Sequence, residues 1–334
     1  MRWASGVTRL RTLAAVASVA AFVLVSAATG PVGAAAAAVP GPCGTLDYDT
    51  GHPPDYEHVV VVMDENLSYA QLQSATTAPY LKSLAAACGS ETAMHAATHP
   101  SQPNYMAATS GVATALATHT ANDNVFHQAQ AAGDTWRGYD ESMPSSCSAS
   151  TSGAPTYKAG HNPAFWYTDL RTPTNTCKKN DLPVTALDAD IAADTLPTFA
   201  WITPNLCDDI HWAAACGYPK ASRIAVGDTW LSTLIPRLTA MPSYQAGRTL
   251  IIVTFDEGGE SATNGVDCTD PAYYPGHPDC RIATFVVSPY VTPGATDGSD
   301  QNLYSLLGTV EDILGYPRLG RAVGQPSLRP GLGF

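Results

Sequence analysis

Four short apolar runs, His58–Met63, Thr198–Thr203, Thr249–Phe255 and Thr284–Pro289, limit the possible folds of this chain most sharply. Each is rich in Val, Ile or Phe and is bounded by turn residues, the pattern of strands buried on both faces. Helix-like stretches lie between them, among them Ala78–Ala87 and Gly227–Leu238, with Asp228 expected to cap the second. Buried strands alternating with helices imply a mostly parallel sheet covered on both sides, so the predicted class is α/β.

The first forty residues are not expected to join that fold. Arg2, Arg9 and Arg11 precede an apolar stretch from Leu13 to Ala28, and small residues follow from Ala34 to Val39. This is the layout of a secretory signal peptide, expected over 1–39 and removed on export. The apolar core is short and broken by Ser18, Ser26 and Gly30, so no stable membrane anchor is expected. What remains, 40–334, is read as one secreted domain. Residues 140–183, rich in Ser, Thr, Pro and Asn with two cysteines, are read as a loop or cap inserted in it.

The formal net charge of −12 argues against a nucleic-acid-binding surface, which needs a basic face. It leaves a phosphate substrate open, because bound cations can invert the field inside a site. All eight cysteines lie after residue 39, and an even count in an exported chain points to disulfides. The spacing suggests local bridges, Cys207 with Cys216 and Cys268 with Cys280, although eight cysteines leave many pairings open.

Three of the apolar runs end in polar clusters. Val59–Met63 leads into Asp64, Glu65 and Asn66; Ile251–Phe255 into Asp256, Glu257 and two glycines; Phe199–Thr203 into a loop with Asp208, Asp209 and His211. In open parallel sheets ligands bind beyond the carboxyl ends of the strands. Each cluster alone could be a helix cap or an acidic turn. Three at the same kind of position bring carboxylates together, and these repel unless a cation neutralises them. Oxygen donors with few imidazoles suit one divalent metal ion, Mg, Ca, Mn or Zn.

A fourth element is the run from Thr98 to Gly111, where Pro103 favours a first helical turn and puts Ser101 just before a helix. A hydroxyl there faces unpaired N–H groups and the positive end of the helix dipole. Such serines are usually caps, and the hydroxyl is a weak nucleophile until a base or metal activates it.

With these residues in place the sequence resembles a known family. The segments are Glu65-Asn66, His99-Pro-Ser-Gln-Pro-Asn-Tyr105, Tyr139-Asp-Glu-Ser-Met-Pro144, Tyr157-Lys-Ala-Gly-His-Asn-Pro163, Ile202-Thr-Pro-Asn-Leu-Cys-Asp-Asp-Ile-His211, Thr254-Phe-Asp-Glu-Gly258 and the tail from Tyr304 to Gly315. Their order resembles bacterial phosphoesterases, the secreted acid phosphatases and phospholipases C related to the alkaline phosphatase superfamily. The resemblance implies a three-layer α/β/α sandwich of the alkaline phosphatase type, with Ser101 as nucleophile. It implies a metal held by Glu65, Asn66, Ser101, Asp256 and Glu257. His161 and His211 would bind phosphate and protonate the leaving group, with Asp209 orienting them and His99 as a further candidate. Family members often place a histidine two residues before the position of Ser305, whereas this chain has Leu303.

The expected activity is therefore metal-dependent hydrolysis of small phosphate monoesters through a phosphoserine, of the acid phosphatase type. A phospholipase C is the rival enzyme, disfavoured because no basic amphipathic helix suited to a membrane surface is evident. A binding protein that keeps the metal without turnover is the rival of another class.

Overall fold

The computed structural model describes residues 41–49, 54–173, 175–259 and 263–334. The expected signal peptide and His52 lie outside them. Residues Pro40–Phe334 pack as one compact unit.

The centre is a nine-stranded sheet. Its strands are β1 (His58–Asp64), β2 (Gly89–His95), β3 (Trp136–Asp140), β4 (Asp181–Pro183), β5 (Phe199–Thr203), β6 (Thr249–Phe255), β7 (Arg281–Val287), β8 (Thr296–Asp297) and β9 (Gln301–Asn302). They are ordered β4-β3-β5-β1-β6-β7-β2-β8, with β9 also on β2. β4, β3, β5, β1 and β6 run parallel, and β7 runs against both β6 and β2. The sheet is thus mixed but mostly parallel. The continuous apolar runs occupy its middle, where both faces are covered: every residue of β5 and β6 is buried, as is every residue of β1 after His58. Fully burying each Val or Ile here stabilises the fold by roughly 1.5–3 kcal/mol.

The sequence places β1, β5 and β6 closely and shifts β7, which begins at Arg281 rather than Thr284. It misses β2, whose Gly-Ser-Glu-Thr-Ala-Met-His sequence carries no apolar alternation and depends on neighbours for its place. The helices Pro79–Ala87 and Arg223–Thr239 appear where expected. Asp228 does not cap its own helix. It lies a turn inside it, and its carboxylate accepts from the backbone N–H groups of Tyr80 (3.0 Å) and Leu81 (2.8 Å). It therefore satisfies the open N-terminus of the neighbouring Pro79–Ala87 helix, which has no side-chain cap of its own.

Four disulfides are formed: Cys43–Cys88, Cys147–Cys177, Cys207–Cys216 and Cys268–Cys280. The last two are the bridges the spacing suggested. Cys147–Cys177 lies within the segment between β3 and β4, which carries His161 on a single 3-10 turn. Among the described residues, no helix is long and apolar enough to cross a membrane.

Candidate active site

Because β5, β1 and β6 are adjacent and parallel, the polar clusters at their carboxyl ends emerge side by side. Backbone bonds lock the loops together: Glu65 N donates to Asp209 O (2.8 Å), and Asp256 N donates to Asp64 O (3.0 Å).

Ser101 enters from a different element. It is the first residue of the helix Ser101–Ser110, and it makes no cap hydrogen bond. Asn104 holds the turn before it. Its Oδ1 accepts from Ala97 N and Thr98 N, and its Nδ2 donates to Thr98 O. The Ser101 hydroxyl instead points at two carboxylates, Glu65 Oε2 at 2.9 Å and Glu257 Oε1 at 3.0 Å. One hydroxyl proton serves one of these at a time.

The acids around it are deeply buried, with Asp64, Glu65, Asp209 and Asp256 fully inaccessible and Glu257 nearly so. One oxygen each from Glu65, Asp256 and Glu257 lies within 4.8 Å of the others. Asp256 Oδ1 accepts from Asn66 N (3.2 Å) and Glu257 N (2.7 Å). Asp256 Oδ2, Glu65 Oε1 and both oxygens of Asp64 have no hydrogen-bond partner among the described residues. Asn66 Nδ2 donates to Glu65 Oε2 (2.7 Å) and lies 2.8 Å from His211 Nδ1.

The two expected histidines both reach Glu65, yet their surroundings differ. His161 is buried between Glu65 Oε1 (3.2 Å) and Asp209 Oδ2 (3.5 Å). Its ring stacks on Tyr105 with centroids 5.2 Å apart. His211 is 37% exposed, with Nδ1 3.1 Å from Glu65 Oε2 and its backbone N–H on Asp209 Oδ1. His99 is buried behind Glu257, with Nδ1 against Glu257 Oε2 and Nε2 3.1 Å from Asp279 Oδ2.

The electrostatics follow from this crowding. Burial, then the charges of Glu65 and Glu257, push Asp256 well above the usual carboxyl range. Burial raises Glu257, Asp209 and Asp64 as well, with Glu65 adding to each. Glu65 is the exception: burial works against its charge, but His161, His211 and the Ser101 hydroxyl outweigh it and hold it down to about 2. Burial lowers His161 to about 4, so it is neutral at moderate pH. A nest of acids of which only one is at ease when ionised, with carboxylate oxygens left unpaired, matches the donor set of a hard divalent cation.

The sequence thus named Glu65, Asn66, Ser101, Asp209, His211, Asp256, Glu257 and His161, and the fold gathers all eight in one place. It named Asp64 in the cluster after β1 without giving it a role, and it assigned none to Tyr105, Asp279 or Arg223. Tyr105 had a usable signal, since it lies four residues after Ser101 on one helix face. Asp279 and Arg223 had none. Among the described residues, two histidines outside the site have partners elsewhere, His58 on Pro197 O and His127 on Asp123.

A profile of the phosphoesterase family matches residues 73–317. The chain belongs to the phosphoesterase family. Over 327 residues it is 29% identical to a Mycobacterium tuberculosis protein named phosphatidylinositol-3-phosphatase, covering 95% of this chain and 93% of that one. It is 28% identical to an acid phosphatase of Aspergillus fumigatus over 77% of this chain, and spans about half of that relative, 54%. Among solved structures it resembles a protein of the alkaline phosphatase superfamily from Vibrio parahaemolyticus, with a TM-score of 0.54 at 13% identity over 87% of this chain and 78% of that one. It also resembles the phosphonate monoester hydrolase of Agrobacterium radiobacter, with a TM-score of 0.51 at 13% identity over 83% and 77%. These likenesses establish an alkaline phosphatase-like fold. With the family match and the acid phosphatase relatives, this phosphoesterase is a hydrolase acting on phosphoric esters.

Proposed function

We propose that this phosphoesterase is an exported phosphatase of the acid type, which hydrolyses small phosphate monoesters through a phosphoseryl intermediate on Ser101. The observation that carries the reading is the Ser101 hydroxyl, at the start of a helix and within hydrogen-bond reach of both Glu65 and Glu257. The relatives named above are phosphatases, which favours monoesters. Four disulfides suit an oxidising compartment outside the cytoplasm.

Glu65, Asn66, Ser101, Asp256 and Glu257 would hold one divalent cation, which when bound supplies the charge that neutralises the acids and lowers the proton affinity of the hydroxyl. Ser101 passes its proton to one of the two carboxylates it touches and its Oγ attacks phosphorus in line with the leaving oxygen; the new P–O bond forms as the ester bond breaks, and its electron pair leaves on the alcohol oxygen. His211 donates the proton that oxygen needs; in the second half it takes one from the incoming water, whose oxygen bonds to phosphorus as the Oγ–P bond breaks and Ser101 Oγ regains its proton from the carboxylate. Its half-exposed position favours it over His161, which is enclosed and neutral. His161, held by Glu65, Asp209 and Tyr105, fixes the orientation of Glu65. Asn66 Nδ2 and the N-terminal amides of the Ser101–Ser110 helix stabilise the equatorial oxygens. A donor that must be imidazolium sets the optimum on the acid side.

Ser101→Ala should lower kcat on an aryl phosphate by roughly 10³-fold or more. Acid-quenched wild-type protein should carry one phosphoryl group on the Ser101 peptide by mass spectrometry. Turnover that persists in Ser101→Ala, with no phosphopeptide from the wild type, overturns the scheme.

A further inference from the structure

The loop that carries His211 is held in an unusual way. Ile210 has φ +74° and Trp212 has φ +72°, and in the neighbouring loop Asn66 has φ +54°. A β-branched residue in the left-handed region is an outlier that persists only where surrounding structure enforces it. Ile210 is also fully buried, so its conformation is not a surface accident.

What enforces it is the first turn of the Arg223–Thr239 helix. Arg223 Nη1 donates to Ile210 O (2.8 Å) and to Asn66 O (3.0 Å), the carbonyls of two left-handed residues on different loops. A third loop closes on the same guanidinium: a Cβ placed on Gly259, after β6, would stand 3.1 Å from Arg223 Nη2 and 3.2 Å from Asn66 O. Four residues on, along the same helix face, Gly227 gives Ile210 its room. A Cβ at Gly227 would lie 2.3 Å from Ile210 Cγ1 and 3.0 Å from Asp208 O.

We propose that Arg223 and Gly227 form a seat that positions the catalytic loops, with Gly227 setting the His211 loop and Arg223 tying that loop to Asn66. The proposal rests on the reading above that His211 gives the leaving oxygen its proton. Both are positioning residues. Arg223 acts through backbone carbonyls, and Gly227 through the space it leaves. The division of labour has a kinetic signature. The three atoms nearest a Cβ at Gly227 belong to Asp208 and Ile210, in the loop that carries His211, so its loss affects the proton donor. Arg223 touches both loops, so its loss affects the proton donor and the amide that faces the phosphoryl oxygens.

The test uses the exported enzyme with two monoesters, glycerol phosphate, whose alkoxide leaving group needs a proton, and 4-nitrophenyl phosphate, whose phenolate does not. Gly227→Ala should lower kcat on glycerol phosphate by about 10²-fold, since a displacement near 1 Å costs that much. On 4-nitrophenyl phosphate the loss should stay below about fivefold, with KM little changed. Ile210→Ala added to Gly227→Ala removes the clashing methylene and should restore most of the rate. Arg223→Lys should lower kcat on both substrates by roughly tenfold or more, and it carries the test if Gly227→Ala does not fold by circular dichroism. Equal losses on both substrates in Gly227→Ala, no rescue by Ile210→Ala, or an unchanged rate in Arg223→Lys each overturns the seat. His211→Ala separates the two ideas: if it shows no preference between the substrates, the proton-donor reading fails, and the seat is then judged by the Ile210→Ala rescue alone.

Discussion

Two groups of buried acids sit on the same sheet and resolve the same electrostatic problem differently. On β3 and β4, Asp140 and Asp181 are both buried. Burial, followed by each other's presence, raises Asp140 well above the usual range, and burial pushes Asp181 up to about 6. Asn162 Nδ2 donates to both oxygens of Asp181, at 2.9 and 3.1 Å, and Tyr157 and Arg171 face the pair. Both Asp140 oxygens lack a hydrogen-bond partner among the described residues, so this carboxyl is relieved by holding its proton. At the ends of β5, β1 and β6 five acids meet, and Glu65 stays ionised among them. That group is not satisfied by one proton, and a hydroxyl nucleophile lies against it. A buried acid marks chemistry when its neighbours cannot neutralise it from within.

The sharpest way to break this contrast is to remove charge from each group in turn. Asp256→Asn combined with Glu257→Gln, or dialysis of the wild type against a chelator, should lower kcat by roughly 10³-fold, because cation stabilisation contributes several kcal/mol. Asp140→Asn should leave kcat within about threefold, read in the same assay, as expected away from the reacting atoms. Equal losses at the two places would erase the distinction.

A smaller effect separates the two histidines. His211→Ala should cost roughly 10²-fold in kcat on an alkyl phosphate, as for a lost general acid, with the alkaline limb of the pH–rate profile altered. His161→Ala should instead weaken cation retention, by about 10–100-fold in the apparent metal Kd from add-back titration.

Stability should move in the opposite sense at the quieter pair. The folded-state pKa values of Asp140 and Asp181 are raised, so the fold keeps protons that the unfolded chain releases. Their contribution is complete below about pH 4 and is lost as pH rises through the folded values, near 6 for Asp181. Asp140→Asn cannot ionise, and its amide can donate to Asp181. It should therefore raise stability by about 1–3 kcal/mol at pH 8 and change little at pH 4, measured by urea unfolding at both. The smallest effect concerns a cap: Asp228→Ala should cost about 1–2 kcal/mol by leaving Tyr80 and Leu81 N–H unpaired, with kcat per folded molecule unchanged.

Much of the molecule was legible before folding because its signals are local. The Val-rich run of β1 and the runs of β5 and β6 need burial on both faces, and no helix or exposed strand satisfies that. The acids after them inherit a common edge from parallel direction alone. Ser101 could be placed at a helix start from Pro103. The outlying strands β2, β3, β4, β8 and β9 were not legible, because segments without an apolar run become strands only when a partner offers its hydrogen bonds.

Local sequence was enough for the central strands, the acids at their ends and the serine at a helix start. Only tertiary structure decided which groups share a boundary. It placed Asp228 on another helix's amides, His99 between Glu257 and Asp279, and Arg223 beneath the carbonyls of Asn66 and Ile210. Those pairings span from 13 to 180 residues of chain, and each arises where a buried polar group must find a partner within about 3 Å. That requirement acts through space, and a reading along the chain does not see it.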